Sequence, residues 1–150
     1  MKYARIELQK TNYKLMPTKQ LNDTGYIIIQ PPSANTDNLQ RIYKEYCKYK
    51  KFKSVMPIFD SEFRDPDNKV FGYYVNNRLV AFSIIRIYDI YNVEAIQFAW
   101  DYVDPSLNLG IESLKHECAF FKGAGFKYFY LGGAEEYKSK IDGFEILGPA

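Results

Sequence analysis

Two periods of apolar and polar positions alternate along this chain, and the switches between them mark its elements. Tyr26-Ile27-Ile28-Ile29-Gln30 is short and β-branched and is stopped by Pro31-Pro32, which predicts a first strand. Leu39, Ile42, Tyr43, Tyr46 and Cys47 then recur at helical spacing. Asp37 and Gln40 occupy the places of a capping box, so a helix runs to about residue 50. From Phe52 to Lys69 the pattern is interrupted by Pro57 and Pro66, with Ile58, Phe59 and Phe63 as anchors for a short helical turn. Val70 to Val75 and Leu79 to Tyr88 are rich in branched and aromatic residues. The Asn76-Asn77 step between them tolerates the positive φ of a tight hairpin. After a polar turn at Tyr91-Asn92, Ala95 to Val103 reads as a further strand, which completes an antiparallel meander.

Beyond Asp104-Pro105 the spacing becomes helical: Ile111, Leu114, Cys118 and Phe121 fall on one face, and Gly123 and Gly125 are stop signals. Lys127 to Leu131 follows as a strand. A strand, helix, strand series of this length implies a parallel pair joined by a right-handed crossover. A polar helix from Ala134 to Ile141 and a strand from Phe144 to Leu147 end the series. The expected fold class is α/β (α+β): a mixed, mostly antiparallel sheet whose fourth and fifth strands are parallel, with flanking helices. The first 25 residues are polar and weakly patterned, and read as an appendage to a single domain spanning residues 1–150.

Composition narrows the function classes. The chain is 47% hydrophobic, 17% aromatic and 25% charged, which supplies a core and excludes disorder. A net charge of only +2 gives no global field for nucleic acid or anionic membrane, so any basic function is local. No apolar run approaches the roughly 20 residues of a membrane span, and the amino terminus lacks a signal-like segment; a cytoplasmic location without membrane contact is expected. Cys47 and Cys118 lie on the apolar sides of predicted helices, as buried reduced thiols do. His116 is the sole histidine, too few for a His-built metal site or a catalytic triad, so no metal is expected.

The order of elements resembles the acetyltransferase-like (GNAT) superfamily, in which the fourth and fifth strands splay apart and admit an acyl donor. Asp104-Pro105, Asn108-Leu109-Gly110, Tyr130-Leu131-Gly132, Tyr137-Lys138 and Gly143-Phe144-Glu145 together resemble the carboxy-terminal domain of arginyl-tRNA-protein transferases. Arg41-Ile42-Tyr43-Lys44-Glu45-Tyr46 is similar to the basic, Tyr-rich helix that opens that domain. The likeness spans roughly residues 39 to 149. It departs at Leu107, where that family has Arg, at Asn108, where it has Ser, and at a shortened Gly133-Ala134-Glu135.

The resemblance implies an acyltransferase moving an acyl or aminoacyl group from acyl-CoA or aminoacyl-tRNA to an amine on a protein N-terminus, a peptide or a small molecule. The alternative is a GNAT-fold binding module without catalysis. The donor site would be Val103, Asn108, Leu109 and Gly110, at a strand end and helix start where unpaired amides and the helix dipole favour a phosphate. Against it, Asp104 to Leu114 holds no Lys or Arg, and Glu112 adds negative charge. Asp101, with Asp89 and Glu94 flanking the preceding turn, is the candidate for a general base. Tyr137 occupies the place of a tyrosine that protonates a departing thiolate. Arg41, Lys44, Lys48 and Lys51, interleaved with Tyr43, Tyr46 and Tyr49, form a candidate tRNA surface.

Overall fold

A computed structural model describes residues 2–19, 24–29, 36–51, 59, 63–131 and 136–149. Its strands are β1 (Lys2–Glu7), β2 (Thr24–Ile29), β3 (Asn68–Val75), β4 (Arg78–Ile87), β5 (Asn92–Trp100), β6 (Tyr128–Tyr130) and β7 (Phe144–Pro149), and its helices are α1 (Thr36–Lys50) and α2 (Leu109–Gly123). The strands form one sheet in the order β2-β3-β4-β5-β6-β1-β7, mostly antiparallel, with β5 and β6 as the parallel pair. This is the predicted fold class. Clustering of the backbone gives two compact units interleaved along the chain, Met1–Leu15 with Ile85–Ile96 and Gly110–Ala150, and Met16–Ile84 with Gln97–Leu109.

In the first unit the amino terminus corrects the sequence reading. Residues 2–7 are not an appendage but a strand paired on both edges, Arg5 opposite Tyr130 of β6 and opposite Glu145 of β7. Ala4, Ile6 and Leu8 are buried while Tyr3 is exposed, the alternation of a half-buried strand. The charged residue on its polar face is matched across the sheet: Arg5 Nε donates to Glu145 Oε1 at 2.7 Å, and its guanidinium lies 4.0 Å from the Tyr128 ring centroid. α2 presents Leu114, Cys118 and Phe121 as buried apolar side chains, whereas Ile111, expected on that face, is half-buried. Phe121 packs edge-on against Phe129 of β6 and Phe126. The expected carboxy-terminal helix is a 3-10 helix, Glu136–Lys140; residues 132–135, with Gly132, Gly133 and Ala134, lie outside the described residues.

In the second unit α1 buries Leu39, Ile42, Tyr43 and Cys47, the face its periodicity predicts. Asp37 stands in its first turn, where a carboxylate favours the positive end of the helix dipole. Tyr43 meets Phe82 of β4 and Phe59 edge-on. Pro57 and Ile58 fall outside the described residues; Phe63 is buried. Asn76 and Asn77 both take positive φ, 51° and 67°, and close the β3–β4 hairpin as their residue types require. Gly72, opposite Ile27 in β2, leaves room for a neighbour: a Cβ there would stand 2.7 Å from Ile29 Cδ1. Both cysteines are buried and unbridged, and burial raises each thiol's pKa above its ordinary value.

Candidate functional site

Parallel pairing between β5 and β6 is brief. Asn92, Val93 and Glu94 face Tyr128, Phe129 and Tyr130, and pairing with β6 stops there while β5 runs on to Trp100. The turn that starts β5 is organised by Asp89, whose carboxylate accepts from the backbone N–H groups of Tyr91 and Asn92 and from the Asn92 amide. Those bonds, the Asn92 side chain first, hold the Asp89 pKa below the ordinary carboxylate value. Glu94 pairs with Arg86 at 3.6 Å. Both flanking acids are thereby given structural partners.

At the other end of β5 the chain makes a denser arrangement. Asp101 N–H donates to Val80 O at 3.1 Å, and Val103 N–H donates to Asp101 Oδ1 at 3.1 Å. Tyr102 between them has φ 57°, in the left-handed region that aromatic residues avoid. Its ring is held by stacking on Tyr49, with centroids 3.8 Å apart, and by contact with Trp100 at 4.4 Å. The Asp101 side chain is only 2% exposed, and its Oδ2 accepts from Arg41 Nη1 of α1 at 3.4 Å and from Arg78 Nη2 of β4 at 3.5 Å. A buried carboxylate is costly without such partners. These guanidiniums lie 60 and 23 positions away in sequence, so no local motif announces them.

The next residues fold as a capped turn. Asp104 Oδ1 accepts from Ser106 N–H and from Ser106 Oγ, Pro105 stands at the first position of a 3-10 turn, and Asn108 ends it in the left-handed conformation, φ 49°. Asn108 N–H donates to Pro105 O at 3.2 Å, so of the three amides expected to be open to an anion this one is engaged. α2 starts at Leu109, and Leu109 and Gly110 N–H belong to the first turn, which has no intrahelical acceptors. Glu112 lies in that turn beside Lys115, 3.6 Å away. Leu109 is buried, and Val103 lies past the strand end, 61% exposed. Tyr137 belongs to the 3-10 helix Glu136–Lys140; its side chain is outside the described residues.

Two cavities adjoin Arg78, and Asp101 lines the first of them. One, of about 310 Å³, is mainly apolar, with Val75, Val80, Trp100, Leu107 and Leu109 around Asp101. The other, of about 470 Å³, is polar, and Arg78 is common to both. Of the residues expected to form a tRNA surface, Arg41 turns toward Asp101 and donates to Leu79 O, whereas Lys44, Lys48 and Lys51 are exposed. Tyr43 is core, Tyr46 is half-buried and Tyr49 is 60% exposed. Among the described residues, no helix is long and apolar enough to cross a membrane.

No family model and no curated protein matches the chain. Solved structures do match it. The C-terminal DUF2156 domain assigned to a lysylphosphatidylglycerol synthetase from Agrobacterium fabrum is similar with a TM-score of 0.62 at 13% identity, over 89% of this chain and 46% of that one. A GCN5-related N-acetyltransferase from Kribbella flavida gives 0.61 at 12% identity, over 96% of this chain and 53% of that one. A GNAT family acetyltransferase from Elizabethkingia anophelis with acetyl-CoA bound gives 0.56 at 12% identity, over 79% of this chain and 70% of that one. The chain thus spans about half the length of the first two. At such identities the likeness speaks for architecture, and with the parallel β5/β6 pair in its place the chain has the GNAT-type acyltransferase fold.

Proposed function

We propose that the protein is an N-acyltransferase that moves an acyl group from an acyl-CoA to an amine-bearing acceptor by direct attack. The observation that supports this best is the three-residue pairing of β5 with β6, beyond which β5 continues to Trp100 and leads through a capped turn into α2. In this scheme the edge of β5 beyond Glu94 takes the donor chain as an added strand would be taken, and the amides of Leu109 and Gly110 receive its phosphate. The neutral amine attacks the thioester carbonyl, the C–N bond forms as the C–S bond breaks, and Tyr137 gives its proton to the departing thiolate and recovers one from the nitrogen of the new amide. The acetyl-CoA-bound acetyltransferase with the same fold supports this donor. Asp101, already accepting from Arg41, Arg78 and Val103, would have to release guanidiniums to serve as a base, and we assign it to holding them. Thermal shifts with acetyl-CoA and CoA test the donor: ligand at 100 times its Kd stabilises by about 2.7 kcal/mol. A Tyr137→Phe variant that binds acetyl-CoA normally but transfers at least about tenfold more slowly supports the proton donor; an unchanged rate rejects it.

An aminoacyl-tRNA donor is the second reading. Exposed Lys44, Lys48 and Lys51 favour it, as does the fold shared with a domain assigned to a lysylphosphatidylglycerol synthetase. Stabilisation by aminoacyl-tRNA and not by acetyl-CoA would select it. Silence from every donor would leave a GNAT-fold binding module that has lost the chemistry.

A further inference from the structure

The polar cavity is lined by Leu79 and by Lys19, Asn38, Arg41, Tyr74, Asn77 and Arg78, and none of its lining residues is acidic. Its three cations arrive from separate parts of the second unit: the segment that runs along β2, helix α1 and the start of β4. Each is positioned from below. Lys19 Nζ lies 4.5 Å from the Tyr74 ring centroid. Its backbone is fixed by Lys19 N–H donating to Tyr26 O at 2.9 Å and by Tyr26 N–H donating to Pro17 O at 3.1 Å. That close approach depends on Gly25, where a Cβ would stand 2.7 Å from Thr18 O. Arg41 and Arg78 converge on one oxygen of the buried Asp101, at 3.4 and 3.5 Å, longer than the roughly 2.7–2.9 Å of a saturated charge-assisted bond. Each guanidinium carries five N–H donors in a planar fork, more than are used by the contacts with Asp101 and, for Arg41, with Leu79 O, and both arginines line the cavity together with Asn38 and Asn77.

Three cations against one carboxylate leave an excess of two positive charges in one recess of about 470 Å³. That excess matches a dianionic phosphate monoester, whose three terminal oxygens suit two guanidinium forks and an ammonium. A nucleic-acid phosphodiester carries one charge and would leave the second unmatched. We propose that this recess binds the phosphate monoester of a small molecule, with Asp101 as the positioning residue that aims Arg41 and Arg78. The residues of this recess are other than Leu109 and Gly110, the donor residues of the acyl-CoA reading.

The test is titration of the intact chain, by thermal shift and by ¹H–¹⁵N NMR, with inorganic phosphate, glycerol 3-phosphate, glycerol and a tRNA. Saturable binding of glycerol 3-phosphate but not glycerol is expected, with shifts at Lys19, Arg41, Asn77 and Arg78. Tighter binding of the ester than of inorganic phosphate marks an organic ligand; equal binding marks free phosphate as the source. Affinity should fall at least about tenfold in R41Q/R78Q, because two charge-assisted forks are lost. D101N, which keeps both arginines, should weaken binding less, and circular dichroism shows whether each variant is folded. No saturable response to either phosphate, an undiminished affinity in folded R41Q/R78Q, or saturation by tRNA alone would overturn the proposal. Binding of acetyl-dephospho-CoA, which lacks the 3′-phosphate monoester that acetyl-CoA carries, reports on the donor reading alone, so either can fail without the other.

Discussion

His116 makes stability depend on pH. It is 1% exposed on α2, and burial lowers its pKa from 6.5 to about 4, because a charged imidazolium there would forfeit its hydration. The sign follows from linkage: the unfolded chain protonates near 6.5 and the folded chain resists, so the stabilisation is whole above pH 6.5 and is lost as pH falls toward about 4. At pH 5 these two values predict a loss of about 2 kcal/mol, approaching about 3.4 kcal/mol below pH 4. For a chain of 150 residues that is a fall in Tm of about 4–8 °C between pH 7.5 and 5. Urea unfolding of the native protein and of His116→Gln at both pH values isolates the effect, since carboxylates contribute equally to both. Native protein should lose about 2 kcal/mol more than the variant over that interval. Parallel losses, or an NMR titration of His116 centred near 6.5 in the folded state, would refute the reasoning.

Other outcomes follow from packing and backbone geometry. Removing residues 1–7 strips the strand between β6 and β7 and should abolish the cooperative thermal transition rather than trim a tail. Gly143 has φ +80°, and a Cβ there would stand 2.5 Å from Glu7 O, so Gly143→Ala should cost more than about 2 kcal/mol in urea unfolding. Phe129, fully buried on β6 against Phe121, should cost about 3–5 kcal/mol as Phe129→Ala, read as a lower urea midpoint at unchanged slope.

Much of the fold was legible because its elements are locally consistent. The α1 face, the Asn76-Asn77 hairpin and the strand–helix–strand crossover each rest on periodicity or turn chemistry confined to a few neighbours. β1 was misread for a physical reason. Its Ala4, Ile6 and Leu8 alternate as a half-buried strand should, but Lys2, Arg5 and Glu7 make the segment look polar, and Arg5 gains its partner only from Glu145 at the far end of the chain. At Glu136–Lys140 the helix is 3-10 rather than α, a distinction that polar helical residues do not announce.

The site divides in the same way. Asp104-Pro105-Ser106 specifies a capped turn within four residues, and the start of α2 follows from it. That Asn108 would spend its amide on Pro105, and that Tyr102 would be held at positive φ by Tyr49, depended on the folded context. So did the surroundings of Asp101, read from the chain as a candidate general base and found between two arginines. Residue order determined the two α-helices, the hairpin turn and the strands other than β1, because side-chain spacing and turn chemistry there act over a few residues. Tertiary structure alone decided which charges meet, because the cost of burying a carboxylate is met by whatever cations folding brings within reach, however distant in sequence.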